Sequence, residues 1–423
     1  MKNAECRMQK SRGPGVRTVV CAGLFAGGVS PWRHFSRRFW SLVFLHSAFC
    51  ILHSSSAAVP PTTAEGFRVP QPGAELAFPA AHGSHPDFRI EWWYLTGNLV
   101  EAGADLTGDE GQRFGFQATF FRYAAPLASP DGDAAEASAA FGTSQLYMAH
   151  MAVTDVTGAR FFYEERLNRD GWDAYAKVGA MDVRNGDWTL VMTDPATEEM
   201  QLRATIRGRV NLDFTLSPDK PLVRFGPDGT SRKGPAPESR SYYLSFTRLA
   251  TEGSLAIDGQ AWRIEGLAWM DHEIASNQLS DNLEGWDWTA IQLDDGRELK
   301  AYILRKLDGT PDAFSAAMWI EPDNTVTYVD AAEFTWEGTQ FFESTRTGAT
   351  YPIGVALTLP DPARGGALRT LDLVPLLDDQ ELGGERGGIA YWEGALRIDE
   401  AGQRVGHGYL ELVGYDKPVE GLR

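Results

Sequence analysis

The sequence predicts an all-β protein of two antiparallel domains, each a sandwich or a barrel. From about residue 90 onward, short segments of alternating apolar and polar residues recur, separated by turns bearing Gly, Asp or Asn. A period of two marks half-buried strands. Sustained helical periodicity is missing over the same stretch. At 423 residues the chain is long for one compact core and suits two sheet-built domains. Many short strands with regular turns exclude a doubly wound sheet.

Residues 1–58 read as an export leader. Arg33, Arg37 and Arg38 supply positive charge, an apolar run spans Phe39 to Leu52, and Ser56-Ala57-Ala58 offers small residues for cleavage. That run is shorter than the roughly 20 residues a spanning helix needs. The residues before Arg33 look unlike a leader, so the true start is expected downstream. An uncleaved anchor and lipidation at Cys50 are the alternatives. Residues 59–71, rich in Pro, Thr and Ala, read as a tether.

The first domain is expected over residues 72–270. Glu91–Val100 and Phe114–Tyr123 read as strands joined by a polar connection, and Tyr147–Asp155 and Arg160–Leu167 flank a tight hairpin at Val156-Thr157-Gly158. Asn185-Gly186, Asp258-Gly259 and Asp295-Gly296 sit between apolar runs, where such pairs supply the positive φ of two-residue hairpins. Two connections are long. Ala124–Thr143 reads as a lid or an inert insertion, and Pro- and Gly-rich Ser217–Arg240 leans towards an inert one. A seam between Met270 and Leu283 leads into a second domain, residues 271–423, opening with the hairpin Gly285–Leu293, Asp294–Arg297 and Glu298–Arg305.

The net charge is -18; without the leader, 31 basic residues face 56 acidic ones, or -25. So acidic a surface repels phosphate backbones and anionic headgroups, so nucleic acid is not expected as a partner. All three cysteines lie in the first 50 residues, leaving the rest without a thiol for a disulfide or a metal site. No P-loop, dinucleotide fingerprint or Gly-Xaa-Ser-Xaa-Gly elbow occurs, so neither a cofactor nor serine hydrolysis is expected. His82 and His85 share a loop and could chelate weakly, but no carboxylate at ligand spacing completes them. A metal is not expected either.

Three constellations could carry chemistry. In Trp269-Met-Asp-His-Glu273, Leu267, Trp269 and Asp271 share one strand face, and Met270 and His272 the other. An acid beside Trp269 on an apolar face would lose hydration, its pKa would rise, and it would become a usable proton donor. The plainer alternative is that Asp271, His272 and Glu273 cap the strand end. In Gly285-Trp-Asp-Trp288, Trp286 and Trp288 share a face and Asp287 opposes them. The indoles either line an apolar cavity and steady a developing cation, or fill the barrel's end. In Glu91-Trp-Trp-Tyr94, Glu91 and Trp93 share a face as binding residues, an edge charge or core packing. His150 and Tyr302 complete the candidate binding set, although a lone His in an apolar strand is more often a core residue.

Glu91-Trp-Trp-Tyr94, Met148–Val153, Ser241–Arg248, Gly266–Glu273, Trp286-Asp-Trp288 and Gly406–Asp416 together resemble the AttH/CrtC lipocalin-like family over about residues 85 to 417. The resemblance implies two tandem lipocalin-like antiparallel β-barrel domains, with a ligand site between or within them. Family members include carotenoid 1,2-hydratases and exported proteins encoded beside transporter permeases. It further implies Asp271 as proton donor to an alkene, His272 as its partner, and Trp269, Trp286 and Trp288 as walls for the cation.

The expected function is therefore binding of a hydrophobic, isoprenoid- or lipid-like molecule by an exported, periplasmic or extracellular protein. Such a protein would act as a carrier linked to an ABC-type envelope transporter, with no stable membrane span after cleavage. The alternative is a hydratase or cyclase that uses Asp271.

Overall fold

The computed structural model describes residues 59–419, apart from 109, 125–144, 172, 278, 281 and 385–389. The leader and nearly all of the Ala124–Thr143 connection fall outside the described residues. Two antiparallel sheets, of 13 and 10 strands, make up the fold, the one a nearly closed barrel and the other a half-barrel. No α-helix occurs among the described residues; two short 3-10 turns, Ala80–His82 and Pro362–Arg364, are the helical pieces.

The hairpins form where the turn chemistry demands them. Asp258 and Gly259 take φ of 51° and 86° between the strands Arg240–Ile257 and Gln260–Ala275, the two-positive pattern that suits strand twist. Gly186 and Gly296 are likewise left-handed, at 68° and 84°.

One long-range pairing closes the first sheet. Strand Ile90–Glu101 lies between Arg113–Ala124 and Gln260–Ala275, with Trp92, Trp93 and Tyr94 opposite Glu273, His272 and Asp271. Gly266 permits this approach, since a Cβ there would lie 2.2 Å from the Asn98 carbonyl oxygen. The strand runs unbroken through Asp271, His272 and Glu273 to Ala275, so these three belong to the first sheet. The second sheet opens with Leu283–Leu293, flanked by Glu298–Lys306 and the C-terminal Gln403–Val413. Trp288 there faces Tyr302 on one side and Glu411 on the other.

Side chains fill the inside of each sheet. Trp93, Phe116, Trp188 and Phe214 pack the first interior, and Trp319, Tyr351 and Trp392 the second. A third cluster lies between the sheets and includes Tyr94, Tyr243, Trp269, Trp288 and Tyr302. Strand Ile90–Glu101 is therefore buried on both faces, which is why its sequence is apolar on both. Ser217–Arg240 is built into the fold. It contributes the short strand Val223–Phe225 to the first sheet, and its Lys220 Nζ donates to Glu298 Oε2 of the second at 2.6 Å.

Candidate functional site

The cavity lies between the sheets, on the face of each strand opposite the filled interiors. It encloses about 140 Å³. Trp92, Tyr94 and Phe121 wall it from the first sheet, and Trp286, Trp288 and Tyr302 from the second. Trp288 meets Tyr94 edge-on at 5.1 Å between ring centres and Trp269 at 6.4 Å, the offset geometry that ring quadrupoles favour.

Asp271 reaches this cavity because period two turns it away from Met270 and His272. Three donors converge on its carboxylate: Tyr243 Oη at 2.5 Å on Oδ2, Trp269 Nε1 at 2.7 Å on Oδ1, and the Ser245 hydroxyl, also on Oδ1. Asp271 thus accepts every hydrogen bond it makes here, and Trp269 is its orienting donor. Glu273 faces the same cavity, takes a hydrogen bond from Ser241 and lies 3.6 Å from Lys233 Nζ. Burial raises the Glu273 carboxyl above its ordinary range, against the pull of Lys233. Lys300 Nζ sits 3.3 Å from the ring centre of Tyr243 and 3.5 Å from that of Phe225. Burial drives its amine well below the usual lysine value, against the attraction of Asp271.

A second acid faces the cavity from the other sheet. Glu411 accepts from Trp286 Nε1 at 3.1 Å. Burial pushes its carboxyl up to about 7, with the negative charges of Asp271 and Glu273 adding to the shift. Glu393 is its cross-strand neighbour and is wholly buried; burial and the charge of Glu411 hold it well above the carboxylate range. Tyr94 Oη donates to Glu393 Oε1 at 2.6 Å. His150 also lines the cavity, bonded through Nδ1 to Tyr391 Oη at 2.6 Å, and burial lowers it to about 4. It is a neutral imidazole near pH 7.

The expected site residues separate by strand face. Asp271, His150, Trp286, Trp288 and Tyr302 meet at the cavity, and Trp269 supports Asp271. His272 does not partner Asp271. As the next residue on the strand it points into the first interior, where it stacks on Trp93 at 4.8 Å and 18° and donates through Nε2–H to Glu91 Oε1 at 2.9 Å. Glu91 and Trp93 lie on that face too and do not line the cavity. Asp287 also leaves the site, because it opposes Trp286 and Trp288. It is ion-paired with Arg305 and accepts from Tyr415 Oη at 3.1 Å. Tyr243, Lys233, Glu273 and Glu411 also line the cavity, and nothing in their sequence pattern alone assigned them there. A charge inside an otherwise apolar strand, as in Tyr409-Leu-Glu-Leu-Val413, was the available signal.

The Glu91 face holds the one His/Glu group among the described residues whose ligating atoms lie within metal reach. His85, Glu91 and His272 bring theirs within 4.8 Å of one another. His82 is engaged elsewhere, with Glu198 at 3.0 Å. Burial raises the Glu91 carboxyl, but bonds from His272 and His85 and the charge of Arg122 outweigh it and hold it well below the usual range.

Two packed antiparallel β-structures with an aromatic cavity between their outer faces define a two-domain lipocalin-like protein. The sequence pattern of the AttH-like family matches residues 69–415, and the chain belongs to that family. A crystal structure of an AttH from Nitrosomonas europaea, itself described as putative, is similar at 34% identity. It covers 82% of this chain and 99% of that one, with a TM-score of 0.70. Kievitone hydratase from Nectria haematococca shares the fold at 16% identity, over 84% and 98% of the two chains, with a TM-score of 0.57. No curated protein matches the chain.

Proposed function

We propose that the cavity between the sheets binds an apolar, unsaturated small molecule and adds water to it, or rearranges it, by proton transfer. One observation carries this reading: two acids on opposite sheets, Asp271 and Glu411, face a single aromatic-walled cavity. A passive store for a greasy ligand has no use for buried carboxyls, because each costs free energy to desolvate.

Glu411, with its carboxyl near 7, keeps a substantial protonated fraction at neutral pH. Its O–H proton would pass to an alkene carbon, and the resulting cation would rest against the π faces of Trp92, Trp286 and Trp288. Water then bonds to the cation and gives its proton to Asp271, whose orientation Tyr243, Ser245 and Trp269 fix. The sum is alkene plus water to alcohol, and proton exchange with solvent restores both acids. This moves the donor role from Asp271 to Glu411. Kievitone hydratase, of the same fold by its structure, offers a precedent in name for water addition on this architecture.

The test is incubation with a panel of isoprenoid and polyene alkenes in isotopically labelled water, read by mass spectrometry. Labelled alcohol should form with wild type and fall by about 10²–10⁴-fold in Glu411→Gln and in Asp271→Asn. The aromatic walls alone would also suit a carrier. Ligands bound tightly and returned unlabelled by wild type would establish that reading in place of catalysis. The apolar run before Ala58 supports an exported site of action, beside a transporter in the envelope; N-terminal sequencing of protein from its own cells tests the cleavage.

A further inference from the structure

We propose that His85, Glu91 and His272 form a binding site for a divalent transition metal of zinc type, at the first sheet's interior face and apart from the cavity. The proposal stands on how the two oxygens of Glu91 are used. Oε2 is held by three donors: the His85 backbone N–H at 2.9 Å, Arg122 Nε at 3.0 Å and Ser84 Oγ at 3.2 Å. Oε1 meets only two imidazole nitrogens, His85 Nδ1 and His272 Nε2, each at 2.9 Å. A carboxylate fixed through one oxygen, with two imidazoles converging on the other, matches a ligand shell with its supporting bonds already in place.

The distances are close to what a metal requires. Ligand atoms about 2.0–2.1 Å from a tetrahedral zinc stand roughly 3.3–3.4 Å apart. The observed 2.9 Å separations from Glu91 Oε1 need a few tenths of an ångström of spreading, and the two imidazole nitrogens, within 4.8 Å of each other, must settle at the same spacing. Metal ligation requires a neutral imidazole that presents a lone pair. The Nδ1 of His272 is buried and makes no hydrogen bond. In the metal-free chain Nε2–H donates to Glu91 Oε1; a metal would displace that proton, and the open Nδ1 is free to carry it. Trp93, stacked on the ring, sets the plane in which the Nε2 lone pair points. His85, with 22% of its side chain exposed, provides the route to solvent and leaves the fourth position to water.

His85 lies 187 residues before His272, which lies far from the loop that carries it in the sequence. A metal here would tie the segment entering the first strand to the strand that closes the sheet. The single negative charge of Glu91 would be shared between the metal on Oε1 and Arg122, which holds Oε2 and does not occupy the metal position.

Cobalt(II) is the spectroscopic probe, added to chelator-treated full-length protein, with zinc titrated by calorimetry. Wild type should develop visible d–d bands of a low-coordinate cobalt site, saturate at one equivalent and melt higher with zinc. His85→Ala removes a partly exposed side chain and should fold, which circular dichroism checks. It should bind at least about tenfold more weakly and lose the metal-dependent rise in melting temperature. Absence of the d–d bands in wild type would overturn the proposal. So would binding that is unchanged in His85→Ala, which would place the metal elsewhere, as on the histidines or cysteines of the first 58 residues.

Discussion

Glu411 is the residue whose protonation should govern both stability and turnover. Its carboxyl sits near 7 in the folded chain against an ordinary 4.5. The folded state therefore holds the proton more tightly between those values. The stabilisation this gives is complete below about 4.5 and lost as the pH rises through about 7. Glu411→Gln should flatten the decline in melting temperature across that window, as a pH series of thermal melts would show. Turnover that needs the acid form should fall above pH 7 in wild type. In the sequence Asp271 stands out as the acid because it shares a strand face with Trp269 in a family-like motif. Its three donors become visible only in the structure, since Tyr243 and Ser245 come from a neighbouring strand.

Period two decides which strand residues serve the site. Asp271 and His272 are one position apart and face opposite ways, as are Trp92 and Trp93, and Trp286 and Asp287. Alternation along each motif was legible in the sequence, and so was the hairpin turn at Asp258-Gly259; the neighbouring Asn185-Gly186 pair is shifted by one, with Asn185 on the strand opposite Trp188 and the turn at Gly186 and Asp187. Which of the two faces met the other sheet was not, because strand Ile90–Glu101 is apolar on both and periodicity cannot rank two buried faces. The distinction has measurable consequences. Trp93→Ala empties a fully buried site and should cost about 3–5 kcal/mol, read by urea denaturation. Trp286→Ala removes a half-buried cavity wall and should cost much less while abolishing binding of an apolar probe.

The two sheets are held together by contacts that no local pattern announces. Lys220 and Arg248 of the first half bond to the wholly buried Glu298 of the second at 2.6 and 2.7 Å. Asn98 Nδ2 donates to the Gly408 carbonyl at 2.9 Å, and Gln292 Nε2 donates to the Thr247 and Ala268 carbonyls at 2.8 and 2.9 Å. Removing one member of the Glu298 cluster leaves two cations without their partner inside the protein, so Glu298→Ala should cost about 3–5 kcal/mol. Because buried hydrogen bonds and ion pairs cross the interface, calorimetry of wild type should give one transition for both sheets; two separated transitions would show independent domains. Length and turn spacing predicted two domains of antiparallel sheet. The placement of the cavity between them depends on partners more than a hundred residues apart, as with Tyr94 and Glu393.

The claim that ligand sits between the sheets, outside either filled interior, is tested most directly by the affinity of a fluorescent polyene for three proteins. Wild type and Trp93→Phe, altered only inside the first sheet, should bind alike, and Trp286→Ala should bind at least tenfold more weakly. The reverse order, with Trp93→Phe impaired and Trp286→Ala normal, would contradict the account.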